Sequence, residues 1–144
     1  MPDLRMNASE LETFLRVQFG EASEPGLKVA RLSSQEIEVH HPIRPAHLRA
    51  GGTVSGPTLM TLADTATYLL LMAQLGEGKH AVTTSLHIDF LRRPTGSVLY
   101  ATGRLLKLGK RLAVCRVDFR TDTSQEPVAQ ASVTYALPSP KLSR

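Results

Sequence analysis

The 144-residue chain has no tryptophan, one cysteine and only 5% aromatic residues. A lone thiol, Cys115, cannot close an internal disulfide, which excludes a disulfide-stapled scaffold and agrees with a reducing compartment. With aromatics scarce and not interleaved with basic residues, there is no stacking platform for nucleic-acid bases, and no nucleic-acid partner is expected. No carboxylate or cysteine stands at a recurring ligand spacing from His40, His41 and His47, so no metal is expected. The chain also lacks internal repeats, a signal-like segment near Met1 and an uncharged apolar run of the roughly 20 residues that span a bilayer. One cytoplasmic domain covering residues 1–144, without a membrane partner, is the expectation. Acidic residues are outnumbered, 13 to 17, and the resulting charge of +4 favours anionic partners, among them phosphorylated cofactors.

What the chain does have is a long apolar stretch from Ser55 to Leu75, SGPTLMTLADTATYLLLMAQL. Ser55, Gly56 and Pro57 form a helix start signal, and apolar residues then occupy nearly every side, which predicts a central helix over 55–75 buried in a core. Asp64 interrupts it, with no neighbour one turn away able to neutralise it. Removing a carboxylate from water costs several kcal/mol unless something pairs with it, so the position needs a reason. Either the helix begins later and Asp64 is its N-cap, or Asp64 borders a solvent-reachable cleft and does chemistry.

Around this helix the sequence reads mainly as strands. Residues 1–20 contain a short amphipathic helix, with Ser9 and Glu12 as a candidate capping box and Leu11, Phe14, Leu15 and Phe19 on one face. Glu21 to Gly26 reads as a turn. Leu27–Leu32 and Glu36–His41 alternate as a hairpin, with Ile37 and Val39 pointing inward. Pro42 to Val54 has no period and reads as a long functional loop. After a turn at Gly76–Lys79, three strand-like runs follow: Ala81–Leu91, Val98–Leu108 and Arg111–Arg120, the last two joined at Gly109-Lys110. In the first, Thr84, Leu86, Ile88 and Phe90 are expected on one face and Thr83, Ser85, His87 and Asp89 on the other; in the third, Ala113, Cys115, Val117 and Phe119 share a face. Pro127–Leu137 closes the set, and 138–144 reads as a flexible tail. The sum is an α+β fold, an antiparallel sheet curled around a central helix.

This order and these residues resemble the hotdog fold, and within it the PaaI-like (phenylacetate-degradation type) acyl-CoA thioesterases. The resemblance rests on GTVSGPTLMTLADTA at the loop and helix, HIDFLRRP at the third strand and KLGKR at the following hairpin. It implies hydrolysis of an acyl- or aryl-CoA thioester with Asp64 as nucleophile or general base and the Gly56 N–H as oxyanion donor. Thr83 falls at a family position whose hydroxyl helps place water. The chain departs from the family in carrying Ser55-Gly56-Pro57 for His-Gly-Gly and Arg49 for an asparagine. Gly56 keeps its N–H and Ser55 can cap the helix, whereas Arg49 could hold Asp64 in an ion pair.

A thioester carbonyl needs a nucleophile or activated water on one side and hydrogen-bond donors where negative charge gathers on oxygen. Gly56 and Asp64 are eight positions apart, roughly 12 Å along one helix, too far to serve one carbonyl. A two-fold dimer, alone or as half of a tetramer, is therefore predicted, with Gly56, Ser55 and Arg49 of one chain facing Asp64 and Thr83 of the other. Arg92, Arg93, Lys107, Lys110 and Arg111 cluster at strand ends and a turn, where they could reach the phosphates of coenzyme A. Coenzyme A enters as part of the substrate; no separate cofactor is expected. Cys115, in an alternating strand with no base beside it, reads as a small buried hydrophobe, and His87 as a surface or interface strand residue. The alternative function is an acyl-CoA-binding protein that keeps the pocket and lacks turnover.

Overall fold

The structure, a computed structural model, describes residues 4–19, 26–76 and 80–138. Most of the expected turn at 21–26, most of that at 76–79 and most of the 138–144 tail lie outside the described residues, as does the side chain of Phe19. Six antiparallel strands form one sheet in the order β1-β2-β4-β5-β6-β3, with β1 at Lys28–Leu32, β2 at Glu36–Pro42, β3 at Val82–Phe90, β4 at Val98–Leu108, β5 at Leu112–Thr121 and β6 at Ser124–Ala136. Helix α1 spans Ala8–Phe19 and helix α2 spans Gly56–Leu75. This is the expected α+β hotdog architecture, a sheet packed against a long central helix.

Alternation decides the sheet's inner face. Ile37 and Val39 on β2, and Ala113, Cys115, Val117 and Phe119 on β5, are all buried against α2 as their spacing predicts. From α2 itself Leu59, Leu62, Ala63, Ala66, Leu69, Leu70, Leu71, Met72 and Ala73 join them. Thr67, the buried polar residue among them, donates its hydroxyl to the Ala63 carbonyl at 2.9 Å.

Three local expectations need correction. The capping box of α1 is Asn7 with Glu10, each side chain taking the other's backbone N–H at 2.9 and 3.0 Å, rather than Ser9 with Glu12. Glu12 is committed elsewhere, accepting the Val29 N–H of β1 at 2.8 Å and so tying α1 to the sheet. Helix α2 is not apolar all round in its setting: Pro57, Met60 and Thr61 are exposed and Gly56, Asp64 and Thr65 half-buried, a stripe that neither sheet nor α1 covers. Finally, the register of β3 against β6 shifts between Thr83 and Ser85. Thr83 stands opposite Tyr135 and Leu86 opposite Val133, and since Val133 and Tyr135 are both inward, Thr83 joins the face of Leu86 instead of opposing it. Strict alternation assigned it to the wrong side.

Strand β3 is an edge strand, and most of it is exposed, including Val82 at 59% and Phe90 at 54%. A nine-residue edge with free pairing groups is a template for another strand.

Candidate active site

Helix α2 starts where the loop after β2 delivers it. Leu48 and Val54 bridge across that loop, the Arg49 N–H reaches the Thr53 carbonyl at 2.9 Å, and the Ser55 N–H reaches the His47 carbonyl at 2.8 Å. Ser55 is the N-cap, its Oγ accepting the Thr58 N–H at 3.3 Å. That settles the two readings of Asp64: the helix begins before it, and Asp64 lies mid-helix. Pro57 has no N–H and that of Thr58 is taken, so Gly56 is left with a helix N-terminal N–H that has no acceptor among the described residues. A Cβ on Gly56 would stand 3.2 Å from Cζ of Phe90, so the last residue of β3 lies directly on this helix end.

Eight residues on, Asp64 is held by partners from two strands. Its Oδ1 accepts from the Thr83 hydroxyl at 2.6 Å and from the Tyr135 hydroxyl at 2.7 Å; Tyr135 also lies 3.2 Å from the Asp64 carbonyl oxygen. Oδ2 takes no hydrogen bond from the described residues. Burial pushes the Tyr135 phenol well above its ordinary range, and the adjacent Asp64 adds to this against a lowering from Thr83, so Tyr135 stays protonated as a donor. Arg49, exposed in the loop at the other end of the stripe, does not reach the Asp64 of its own chain, whose Oδ1 is met by two hydroxyls. Sequence reasoning missed Tyr135, which is 71 positions from Asp64. Its signal was a tyrosine at an inward position of the last strand, where a hydroxyl needs a partner.

The family profile of the thioesterase superfamily matches residues 51–128, which include Ser55, Gly56, Asp64 and Thr83. The chain belongs to the thioesterase superfamily. Among solved structures it is similar to a candidate thioesterase from Silicibacter sp. TM1040, with 36% identity, 94% of each chain covered and a TM-score of 0.87. More distant likenesses, which concern the fold alone, include a thioesterase from Haemophilus influenzae (19% identity, 94% of each chain, TM-score 0.81) and thioesterase superfamily member 2 from Mus musculus (23% identity, 92% of this chain and all of that one, TM-score 0.80). No curated protein gives a significant match.

In this thioesterase-superfamily chain the five basic candidates do not form one cluster. Arg92 and Arg93 follow the end of β3, whereas Lys107, Lys110 and Arg111 lie at the β4–β5 hairpin, level with its beginning. Along β3 the two groups are separated by roughly 25 Å. Arg93 lies at the Gly56 end, its guanidinium 3.9 Å from where a Gly51 Cβ would be. Arg92 is engaged locally, paired with Glu126 at 2.5 Å and donating to the Pro127 carbonyl at 2.7 Å. The hairpin cations share the Asp64 end. The imidazoles serve other ends: His40 meets Glu38 at 2.6 Å, His41 donates to the Pro42 carbonyl at 2.8 Å, and His47 Nδ1 accepts the Arg44 N–H at 3.0 Å. His87 is exposed on the outer face, 3.2 Å from Asp89. Cys115 is fully buried, and burial raises its thiol to about 11 despite opposing hydrogen bonds. No helix among the described residues is long and apolar enough to cross a membrane.

Proposed function

We propose that this protein is a cytoplasmic acyl-CoA or aryl-CoA thioesterase of the PaaI-like branch, acting as a homodimer with two composite sites. The observation that carries the reading is the half-buried mid-helix carboxylate of Asp64, fixed through one oxygen by two hydroxyls and set on an uncovered stripe of α2. Oδ2 attacks the thioester carbonyl or takes a proton from the water that does. The Gly56 N–H, aided by the positive end of the helix dipole, receives the charge that develops on the carbonyl oxygen. The departing thiolate needs little acid assistance.

Strand β3 explains why a dimer is required. One end, at Phe90, lies on Gly56; the other, at Thr83, bonds Asp64. Pairing two copies of β3 antiparallel across their free edges sets unlike ends side by side, so Gly56, Ser55 and Arg49 of one chain approach Asp64 and Thr83 of the next. The same two-fold brings Arg92 and Arg93 of one chain to the end of the sheet that holds Lys107, Lys110 and Arg111 of its partner. The separation seen in one chain thus becomes convergence around a coenzyme A tail, with Arg93 the best placed of the five.

The test is a thiol-release assay across acyl- and aryl-CoAs, with light scattering to give the mass in solution. Asp64→Ala is expected to lose activity by about 10³-fold while keeping its dimeric mass, within the range for removal of a general base. An active Asp64→Ala or a monomeric native protein would overturn the reading. Tight acyl-CoA binding without release by the native protein would show a binding protein instead.

A further inference from the structure

We propose that Tyr135 is a positioning residue for the Asp64 carboxylate, clamping Oδ1 together with Thr83 so that Oδ2 is the reacting oxygen. The inference rests on the thioesterase reading of Asp64 given above. Three independent features of the fold converge on it.

The first is register. Thr83 on β3 and Tyr135 on β6 are direct cross-strand partners, and the shift after Thr83 turns its side chain to the inner face where Tyr135 already points. Both hydroxyls then reach the same oxygen, at 2.6 and 2.7 Å. A regular strand would have sent Thr83 outward and left Tyr135 as the only donor.

The second is burial. Tyr135 is 3% exposed, so its hydroxyl sits where water does not compensate it, and it reaches Asp64 at Oδ1 and at the main-chain carbonyl. A phenylalanine would fill the same core volume without a polar group to satisfy. The hydroxyl is therefore spent on the carboxylate.

The third is support for the ring. Tyr135 stacks on Tyr68 with centroids 6.2 Å apart and 30° between planes, and Tyr68 stacks on Phe14 of α1 with the same separation and angle. A row of three rings thus runs from the outer helix to the carboxylate. Among the described residues, Tyr68, one turn beyond Asp64 on α2, and the two donors face this site from α2, β3 and β6. A carboxylate gripped at one oxygen keeps a fixed rotamer, which is what a nucleophile or base must have when its target is delivered by another chain.

Tyr135→Phe tests this, since it removes only the hydroxyl. We expect kcat to fall about tenfold with KM within about twofold, because the lost bond orients the acid and does not hold the substrate. The Asp64 side-chain carboxyl ¹³C signal, read by NMR in the substrate-free dimer at one fixed pH, should change position in the variant, since one of the two donors to Oδ1 is gone. An unchanged kcat and ¹³C position in Tyr135→Phe, with Asp64→Ala inactive, would overturn the proposal and leave the thioesterase reading standing. If Asp64→Ala stays active, the thioesterase role of Asp64 fails, and the ¹³C position alone decides whether Tyr135 holds that carboxylate.

Discussion

At its first turn α2 offers a bare backbone N–H at Gly56; two turns later, on the same uncovered stripe, it offers the carboxylate of Asp64. The first is built locally. Ser55, Gly56 and Pro57 are consecutive, and the cap, the missing proline donor and the orphan N–H follow from three adjacent residues. The second is assembled from three elements, with α2 giving the acid, β3 Thr83 and β6 Tyr135. The helix dipole suits the difference, since an oxyanion gains from a helix start while a mid-helix acid gains nothing from the dipole and must be held by side chains. A free backbone donor can be a property of a short segment; the setting of the carboxylate here is a property of the fold.

The comparison breaks most sharply if the two ends do not work across chains. Gly56→Pro removes the proposed donor at a position that tolerates proline, and the ring it meets, Phe90, is exposed and able to shift. A loss of about 10²-fold in kcat is expected, the size of losing one oxyanion donor. Co-refolding equal amounts of Gly56→Pro and Asp64→Ala chains should return about a quarter of native activity, because half the dimers are mixed and each has one intact site of two. Recovery near zero, with mixed dimers demonstrated by mass, would place both groups in one chain's site.

The acid end is sharpened by Thr83→Val. It keeps shape and β-propensity and removes one of two donors to Oδ1. About a tenfold fall in kcat is expected in a steady-state assay, larger if Tyr135 cannot hold the rotamer alone. A native-like rate would mean that the carboxylate is set by packing and not by its hydroxyls.

These two ends also mark how far the sequence could be read. The helix, its start at Ser55, the order of strands and the inward faces of β2 and β5 follow from runs of residues close in sequence, where period and cap chemistry act directly. The Gly56 donor belongs to that class. Thr83 was singled out through family resemblance, while its facing was misread, because a bulge inserts one residue into the alternation and leaves no compositional trace in VTTSLHIDF. Tyr135 could not be found from spacing at all, since only the β3–β6 pairing brings it to Asp64. The basic residues show the same limit: Arg92 and Arg93 precede β4 and Lys107, Lys110 and Arg111 lie at its far end, so the length of that strand puts the two groups at opposite ends of the sheet.

A smaller effect distinguishes Arg93 from its neighbour. Arg93 lies against the Gly51 loop at the Gly56 end, while Arg92 is committed to Glu126 and Pro127. Arg93→Ala should raise KM for acyl-CoA about fivefold, the effect of one exposed charge on a phosphate, with kcat unchanged. Arg92→Ala should change KM less. Equal effects would mean that the local pairing of Arg92 yields to the substrate.

The smallest effect is expected at Cys115, which tests whether the stripe of α2 holds the chemistry alone. Its thiol is fully buried on the inner face of β5 and raised to about 11 by desolvation, so it is a neutral apolar side chain at working pH. Cys115→Ala should keep kcat within about twofold and cost about 1 kcal/mol of stability for the small cavity left. The raised value also has a sign. Between the ordinary thiol value of 9.0 and about 11 the unfolded chain gives up its proton while the folded chain keeps it, so stability falls as pH rises through that window. Denaturant titrations at pH 8 and pH 10.5 should show a smaller alkaline loss in Cys115→Ala than in the native protein, and an equal loss in both would assign the alkaline sensitivity to other groups.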